Sequence, residues 1–246
     1  MKKELLNCVA LSNEFARKAE IDLSCCEWKL LLFLISRIKP HEKLFLLEMV
    51  SVKEAMDITD ISTKSIIQKA VERLQNCTFN LEEKKLKLFT LIKLEDKYIT
   101  YMFSIDMQNH ILNLKDNMTI FELGYVYNLT SKYAIRLFVF GMSFKFCGYY
   151  NVLDYDFLKL LNFSASPSEL WRRAIIPALE QIKAHTQINL YCKKHGNRYY
   201  FYSKEKTKKQ IESSGIDKWK SEITTDVVDY SSIETVLFAN IDDEEF

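Results

Sequence analysis

The stretch SPSELWRRAIIPALEQIKAHTQINLYCKKHGNRYYFYSK, residues 166–204, has the pattern of a helix that runs into a β-hairpin. Apolar residues recur at helical spacing in its first half, and two strand-like runs flank Gly196 in its second half. Ser166 before Pro167, with Glu169 three residues on, predicts a capped start for the helix. The remaining polar side chains are mostly basic, which makes this stretch the first candidate for a binding surface.

An earlier part of the chain has the same order of elements. Residues 51–81 and residues 153–190 each contain a short helix, a polar turn, a longer helix and a strand. Each is preceded by a helix that is apolar almost all round, at 26–38 and 132–146, and such a helix is expected to be buried. Helix, turn, helix and hairpin behind a buried helix is the winged-helix arrangement. The sequence therefore predicts an α+β fold with two tandem winged-helix domains; the alternative is one α+β domain whose repeat is coincidental.

The charge is unevenly distributed along the chain. Residues 1–130 have 18 basic and 18 acidic side chains, residues 131–210 have 14 and 5, and residues 211–246 have 2 and 10. A basic block followed by an acidic tail is typical of a protein that binds a polyanion, although a basic block can also be only a solvated face. We place the domains at 1–118 and 119–210 and expect the acidic tail to be flexible.

The second domain provides the main candidate DNA-binding residues. Outward positions at the start of its long helix would face base edges in the major groove, where arginine pairs with guanine through two hydrogen bonds. The tip of the following hairpin would lie along the phosphate backbone. The helix residues are Ser166, Ser168, Glu169, Arg172 and Arg173, and the hairpin residues are Lys193, Lys194, His195, Asn197 and Arg198.

The first domain has a corresponding but less basic set. Its outward positions are Thr63, Lys64, Ser65, Gln68 and Lys69 on the long helix, with Lys85 and Lys87 near the hairpin. Because acidic residues balance these charges, the set is interpreted either as an auxiliary phosphate-binding surface or as a protein–protein surface.

Catalytic motifs are not evident in the sequence. The five glycines form no phosphate-binding loop followed by lysine, and no two of the four histidines are two residues apart, as a metal-dependent nicking enzyme would need. Cys192 and His195 have the spacing of half a zinc site, but no second pair completes it. We expect no catalytic residue, no metal and no cofactor.

The six cysteines lack the spacing of a disulfide framework. The first residues do not read as a secretory leader, and no apolar run is long enough to span a membrane. A cytoplasmic protein that does not insert into membranes is expected.

Three stretches of the sequence resemble the plasmid replication initiators of the RepB-like family, which bind repeated origin sequences called iterons. LSNEFARKAEIDLSCCEWKLLLFLISRI (11–38) is similar to the opening helices of the family. FELGYVYNLTSKYAIRLFVF (121–140) is similar to a central stretch, with Phe138 where the family usually has tyrosine. LWRRAIIPALEQIKAHTQINLYCKKHGNRYYFY (170–202) is the most specific match, and the resemblance extends over roughly residues 7–205.

The resemblance implies two winged-helix domains without catalytic activity. It implies that the second domain reads double-stranded iteron DNA, while the first touches DNA and mediates dimerisation. Family members typically act as an initiating monomer and as a dimer that represses their own gene. The implied partners are origin DNA, a second copy and host replication proteins such as a helicase loader, in the bacterial cytoplasm. Two alternatives remain open: a tandem winged-helix transcriptional regulator, and a winged-helix protein-interaction module.

Overall fold

The computed structural model describes residues 8–38, 44–59, 61–112, 114 and 117–207, and the statements below concern these residues. Every described helix and strand belongs to one unit that ends at Glu205, and a second unit begins at Lys206. The acidic tail at 211–246 lies outside the described residues. The predicted boundary between residues 118 and 119 stays a prediction.

The first set of elements is built around a buried helix. It comprises β1 (Cys8–Ser12), α1 (Asn13–Lys18), α2 (Cys25–Ser36), β2 (Glu48–Ser51), α3 (Val52–Thr59) and α4 (Lys64–Gln75). Ser24 and Glu27 form a complete capping box at the start of α2, and all of its residues from Glu27 to Ser36 are buried. The buried helix predicted at 26–38 is confirmed.

Two hairpins follow α4. They are β3 (Thr78–Leu81) with β4 (Lys84–Lys87), the small hairpin, and β5 (Phe89–Glu95) with β6 (Tyr98–Phe103), the first hairpin. The sequence predicts a turn at Glu95–Lys97, and the first hairpin turns there at Asp96–Lys97. The hairpin joins β2 in an antiparallel sheet of order β2-β6-β5.

The small hairpin was not predicted. Lys85 and Lys87 were expected next to the first hairpin, but they pair with Asn80 and Thr78 in the small one. That expectation was wrong because the turn has two glutamates with φ of 48° and 68° instead of the glycine or asparagine that usually signals such a turn.

The connection between the two sets contains a further strand. Its elements are a 3₁₀ turn (Ile105–Met107), α5 (Gln108–Ile111), β7 (Met118–Glu122) and α6 (Gly124–Tyr127). The sequence predicts a partly helical connection at 107–130, with its helical part at 118–129. Strand β7 was missed, because it pairs with β1 at the other end of the set and local sequence carries no sign of so distant a partner.

The second set repeats the order of the first. It comprises α7 (Lys132–Met142), β8 (Tyr149–Leu153), α8 (Asp154–Leu160), a helix at 167–185, β9 (Ile188–His195) and β10 (Arg198–Glu205). Its sheet has the order β8-β10-β9, which matches β2-β6-β5 position for position. Strands β9 and β10 form the second hairpin, which turns at Gly196 with a φ of 55°.

The 167–185 helix changes its winding near its middle. It consists of α9 (Pro167–Leu170), a π-helical segment (Trp171–Ile175) and α10 (Ile176–His185). The sequence predicts a bend at Pro177, since proline lacks the N–H that would bond one turn back. The structure places the π-helical segment directly before Pro177, where the N–H of Ile176 donates to the oxygen of Trp171.

A buried arginine joins the two sets. Arg136 of α7 donates from its two terminal nitrogens to the carbonyl oxygens of Ala16 (2.7 Å) and Ala19 (2.8 Å) at the end of α1. Its guanidinium lies 5.7 Å from the ring centre of Trp28 in α2. Arg17 of α1 reaches back to the hydroxyl and carbonyl of Ser143 after α7. These contacts hold α1 and α2 against α7.

Candidate nucleic-acid interface

The start of the 167–185 helix is capped by a serine, as predicted. The hydroxyl of Ser166 accepts from the N–H of Glu169 (3.4 Å) and lies 3.1 Å from the hydroxyl of Ser168. The predicted capping box is only half present, because the carboxylate of Glu169 accepts from Arg173 (3.3 Å). The helix therefore begins on the solvent side with two hydroxyls and a partly neutralised carboxylate.

The two arginines at this helix start are not equivalent. Both are exposed, and the guanidinium of Arg173 forms an i,i+4 ion pair with Glu169. Arg172 has no hydrogen bond or ion pair with any residue that the structure describes. Its five N–H groups are therefore available to a ligand, and Arg172 is the stronger candidate of the two.

The buried side of the same helix matches most of the prediction. Five of the seven predicted apolar residues are buried: Leu170, Ala174, Ile175, Ala178 and Ile182. Trp171 and Leu179, the other two, are half-buried. This stripe fixes the helix on the sheet and directs Arg172 and Arg173 outward.

The tip of the second hairpin is held by its neighbours. The carbonyl of Asn197 accepts from the N–H of Asp154 at the start of α8 (2.8 Å), and Arg198 donates to the side-chain oxygen of Asn151 in β8 (2.6 Å). His195 and Asn197 are exposed, and a side chain added at Gly196 would meet open space. The predicted tip is an accessible, anchored turn.

The two lysines of this tip point to opposite faces of the sheet. Because side chains alternate along a strand, Lys193 lies on the outer face and Lys194 on the face that carries α8. Lys194 donates to one carboxylate oxygen of Asp154 and lies 5.0 Å from the ring centre of Tyr199. This ion pair could not be expected from local sequence, since its partners are 40 residues apart.

Tyr199 brings the predicted helix start and hairpin tip together. Its ring stacks on Trp171 of the π-helical segment, with centroids 6.3 Å apart and an angle of 15° between the rings. The same ring is the one that Lys194 approaches. The π-helical segment and the second hairpin are therefore in contact through this one ring.

A tyrosine cluster covers the outer face of the second sheet. Tyr202 faces Tyr191 on one neighbouring strand and Tyr149 on the other, and Tyr200 lies on the same side. The sequence predicts a packed hairpin face for Tyr191, Tyr200 and Tyr202. Tyr200 is buried, and the rings of Tyr200 and Tyr202 pack against Tyr149. The opposite face carries Tyr199 and Phe201 against Phe157 and Phe140. Tyr149 and Tyr191 are 38% and 40% exposed.

The predicted residues at the start of α4 are exposed but largely tied to their neighbours. The hydroxyls of Thr63 and Ser65 lie 3.2 Å apart, Lys64 donates to the carbonyl of Asp96 (2.7 Å), and Gln68 donates to Glu72. Lys69 is exposed and has no partner within the described ranges.

The predicted cap of α4 differs from the observed one. The residue before the helix is Thr63 and not Ser62, and its hydroxyl does not cap; Asp60, the other candidate, lies outside the described residues. Lys85 and Lys87 follow the far end of this 12-residue helix, which is about 18 Å long. The seven first-domain residues therefore belong to two separate elements, α4 with the residue before it and strand β4.

The tip of the first hairpin is acidic. It consists of Glu95, Asp96 and Lys97, and Lys93 donates to Glu95 (2.6 Å). Its position in the fold matches that of the basic tip, but its charge does not.

A zinc site at Cys192 and His195 is not supported by the geometry. Residues three apart on a strand point to opposite faces of the sheet, and burial raises the pKa of the Cys192 thiol. Among the residues with described positions, no three His, Cys, Asp or Glu side chains are arranged to hold a metal ion. None of the described helices is both long enough and apolar enough to cross a membrane.

Comparison with known proteins gives one family. The model of a family described as "Initiator Replication protein, WH1" matches residues 8–141, which is more than half of the chain. No curated protein matches the chain significantly.

Proposed function

The chain belongs to the initiator replication proteins and contains their winged-helix WH1 domain, and from that premise we propose that it binds iteron repeats in double-stranded origin DNA. In this proposal it starts plasmid replication in the bacterial cytoplasm and, as a dimer, represses its own gene. Both steps are binding events without catalysis, metal or cofactor.

The proposal assigns a second winged-helix domain to residues 119–210, of which residues 119–141 lie within the family match. Its support is the repeated order of elements, namely a buried helix, a strand, two helices and a hairpin. The strand order β8-β10-β9 of the second sheet also corresponds to the order β2-β6-β5 of the first. The helices α2 and α7 are both buried, and each precedes the first strand of its three-stranded sheet. The two sets are therefore alike in their buried helices as well as in their strand order.

The observation that carries the proposed DNA site is the arrangement around Tyr199. Trp171 and Lys194 contact this one ring, so the helix segment that contains the exposed Arg172 packs next to the hairpin that carries the basic tip. A helix start with arginine suits the major groove, and a basic tip beside it suits the flanking phosphates. Bound phosphates release counterions, so affinity should fall steeply as salt rises.

The initiating step in this proposal is mechanical. Several copies bound to adjacent repeats would bend the DNA and strain a neighbouring AT-rich segment, where duplex is most easily deformed. Host replication proteins, such as a helicase loader, would then enter at the opened segment.

The proposed surface for a second copy is the part of the first sheet at β2, where the outer face meets an edge that is unpaired among the described strands. Met49 is 61% exposed and Tyr98 is 47% exposed, and both point away from the core-facing Val50 and Ile99. Leu47, just before β2, is also 61% exposed. Among the described strands, β2 pairs on one side only, so it is an edge with free backbone groups and apolar side chains. Such an edge suits pairing with the same edge of another chain.

A replication assay tests the function. A plasmid with this gene and its flanking repeats as sole origin should transform a host that supplies no other initiator, and Arg172→Ala should abolish transformation. A transcriptional regulator would repress its promoter but leave the plasmid unable to replicate. A protein-interaction module would show no salt-dependent affinity for duplex DNA.

A further inference from the structure

Asp154 occupies an unusual place for an acidic residue, at the root of the basic tip. It is the first residue of α8, its N–H donates to Asn197 in the turn, and one carboxylate oxygen accepts from Lys194. The other carboxylate oxygen is buried near Tyr199, whose pKa is raised by burial and by the Asp154 carboxylate. Two links therefore tie the tip to α8, one through the backbone and one through charge.

The charged link removes one cation from the tip. Lys193, Lys194 and Arg198 are its lysine and arginine residues, and the Lys194 side chain is 31% exposed beside an Asp154 side chain that is 25% exposed. Arg198 is bonded to the neutral amide of Asn151, so its charge is not compensated in this way. The pairing leaves Lys194 close to the tip but neutralised.

We propose that Asp154 is a positioning residue that limits the sequence-independent DNA affinity of the second hairpin by holding Lys194 away from phosphate. This inference rests on the proposed DNA-binding function and deepens it. Phosphate contacts add affinity for every sequence equally, whereas base contacts discriminate. By neutralising Lys194, Asp154 leaves a larger share of the binding free energy to the helix that carries Arg172.

The test is Asp154→Asn in the full chain, with binding to repeat and scrambled duplexes measured over a range of salt concentrations. Asparagine has nearly the same shape and keeps the N–H that donates to Asn197. The variant should bind both duplexes more tightly by the same factor, roughly fivefold to tenfold near 0.1 M salt, with a slope of log affinity against log salt steeper by about 0.9. The ratio of repeat to scrambled affinity should not change.

Two controls show whether the effect passes through Lys194. Asp156→Asn removes the same charge two residues along α8, where the side chain is exposed, and it should leave the salt slope unchanged. In a Lys194→Met background, Asp154→Asn should have no effect on the slope. An equal effect with and without Lys194, or an unchanged slope in Asp154→Asn alone, would overturn the proposal.

A second comparison does not depend on the Asp154 variant folding. Since Lys194 is already paired with a carboxylate, Lys194→Met should flatten the salt slope less than Arg198→Met does. Equal flattening would contradict the inference while leaving the DNA-binding function intact. If the unchanged chain shows no salt-dependent duplex binding, the proposed function itself fails.

Discussion

The two three-stranded sheets have the same strand order but very different outer surfaces. The first presents Met49 and Tyr98 on its outer face and an acidic turn at Glu95 and Asp96. The second presents tyrosines on its outer face and a basic tip. In each set a buried helix and the inner face of the sheet fix the topology, and neither constrains the outer side chains. The same arrangement of elements can thus form a protein contact in the first set and a DNA contact in the second set.

The long helices of the two sets, α4 and the 167–185 helix, also differ in how free their basic side chains are to bind a ligand. Lys64 at the start of α4 is tied to the carbonyl of Asp96 in its own hairpin, whereas Arg172 has no partner among the described residues. A side chain that is already bonded must lose that bond before it can bind DNA. The comparison therefore favours the second helix as the one that reads sequence.

The largest expected effect comes from breaking the joint between the two sets. Arg136→Met would leave the carbonyls of Ala16 and Ala19 without their donors inside the protein. Burial lowers the pKa of Arg136 to about 9, so the side chain is charged at neutral pH and its replacement removes two charge-assisted hydrogen bonds. We expect a loss of about 2–4 kcal/mol in the free energy of unfolding, measured by urea denaturation.

A surface arginine provides the matched control for that variant. Arg37 forms a partly exposed ion pair with Glu54, and Arg37→Met should cost less than about 1 kcal/mol. Equal losses for the two variants would show that Arg136 does not join the sets in the manner described.

The next largest effect is on DNA binding, and it should differ between the 167–185 helix and α4. Arg172→Ala should weaken binding to repeat DNA by about 1–3 kcal/mol and binding to scrambled DNA by much less. Lys69→Ala on α4 should weaken both by a similar, smaller amount, because a lone exposed lysine contacts phosphate and not a base pattern. Fluorescence anisotropy with both duplexes gives the two ratios. A larger loss of specificity from Lys69→Ala would reverse the assignment of the two helices.

Substitutions on the outer faces of the two sheets should differ in their effect on self-association. Met49→Asp should weaken dimerisation by at least about tenfold, because it places a charge in the proposed apolar contact. Tyr149→Asp on the second sheet should leave the dimerisation constant unchanged. Sedimentation equilibrium measures both, and a dimer that tolerates Met49→Asp would place the contact elsewhere.

The smallest effect concerns pH and a histidine of the first set. His110 is buried against Phe15 and Phe79 and lies 2.9 Å from the hydroxyl of Ser12, and burial lowers its pKa below 6.5. As pH falls below 6.5, the unfolded chain takes up a proton that the folded chain resists, so the free energy of unfolding should fall.

Replacing that histidine tests the assignment. His110→Gln should flatten the decline in the free energy of unfolding as the pH falls below 6.5. His195→Gln, in the exposed tip, should leave the decline as it is. Urea denaturation at several pH values gives both slopes, and an unchanged slope in His110→Gln would assign the decline to other groups.

Sequence reasoning succeeded where periodicity and turn chemistry carry the signal. The buried helices α2 and α7, the turn at Gly196 and the buried stripe of the 167–185 helix all follow from spacing or from a single glycine. It failed where the partner is distant or the turn lacks its usual residue, as with the β1–β7 pair and the glutamate turn of the small hairpin.

The candidate site was predictable in composition but not in pairing. The position of Lys194 on its strand predicts which face of the sheet it lies on. It does not predict the ion pair with Asp154, because that contact depends on where α8 begins relative to the hairpin. By contrast, the difference between Arg172 and Arg173 was predictable, because Glu169 and Arg173 have the i,i+4 spacing of a helical ion pair.

Binding of the full chain to duplexes tests the central claim most directly. The repeats that flank its gene and a scrambled sequence would be titrated in gel shifts at roughly 50 mM and 200 mM salt. The account predicts a ladder of shifts on the repeats, with one step for each repeat and affinity that falls steeply with salt. Equal binding to both sequences, or binding to neither, would contradict a repeat-reading initiator.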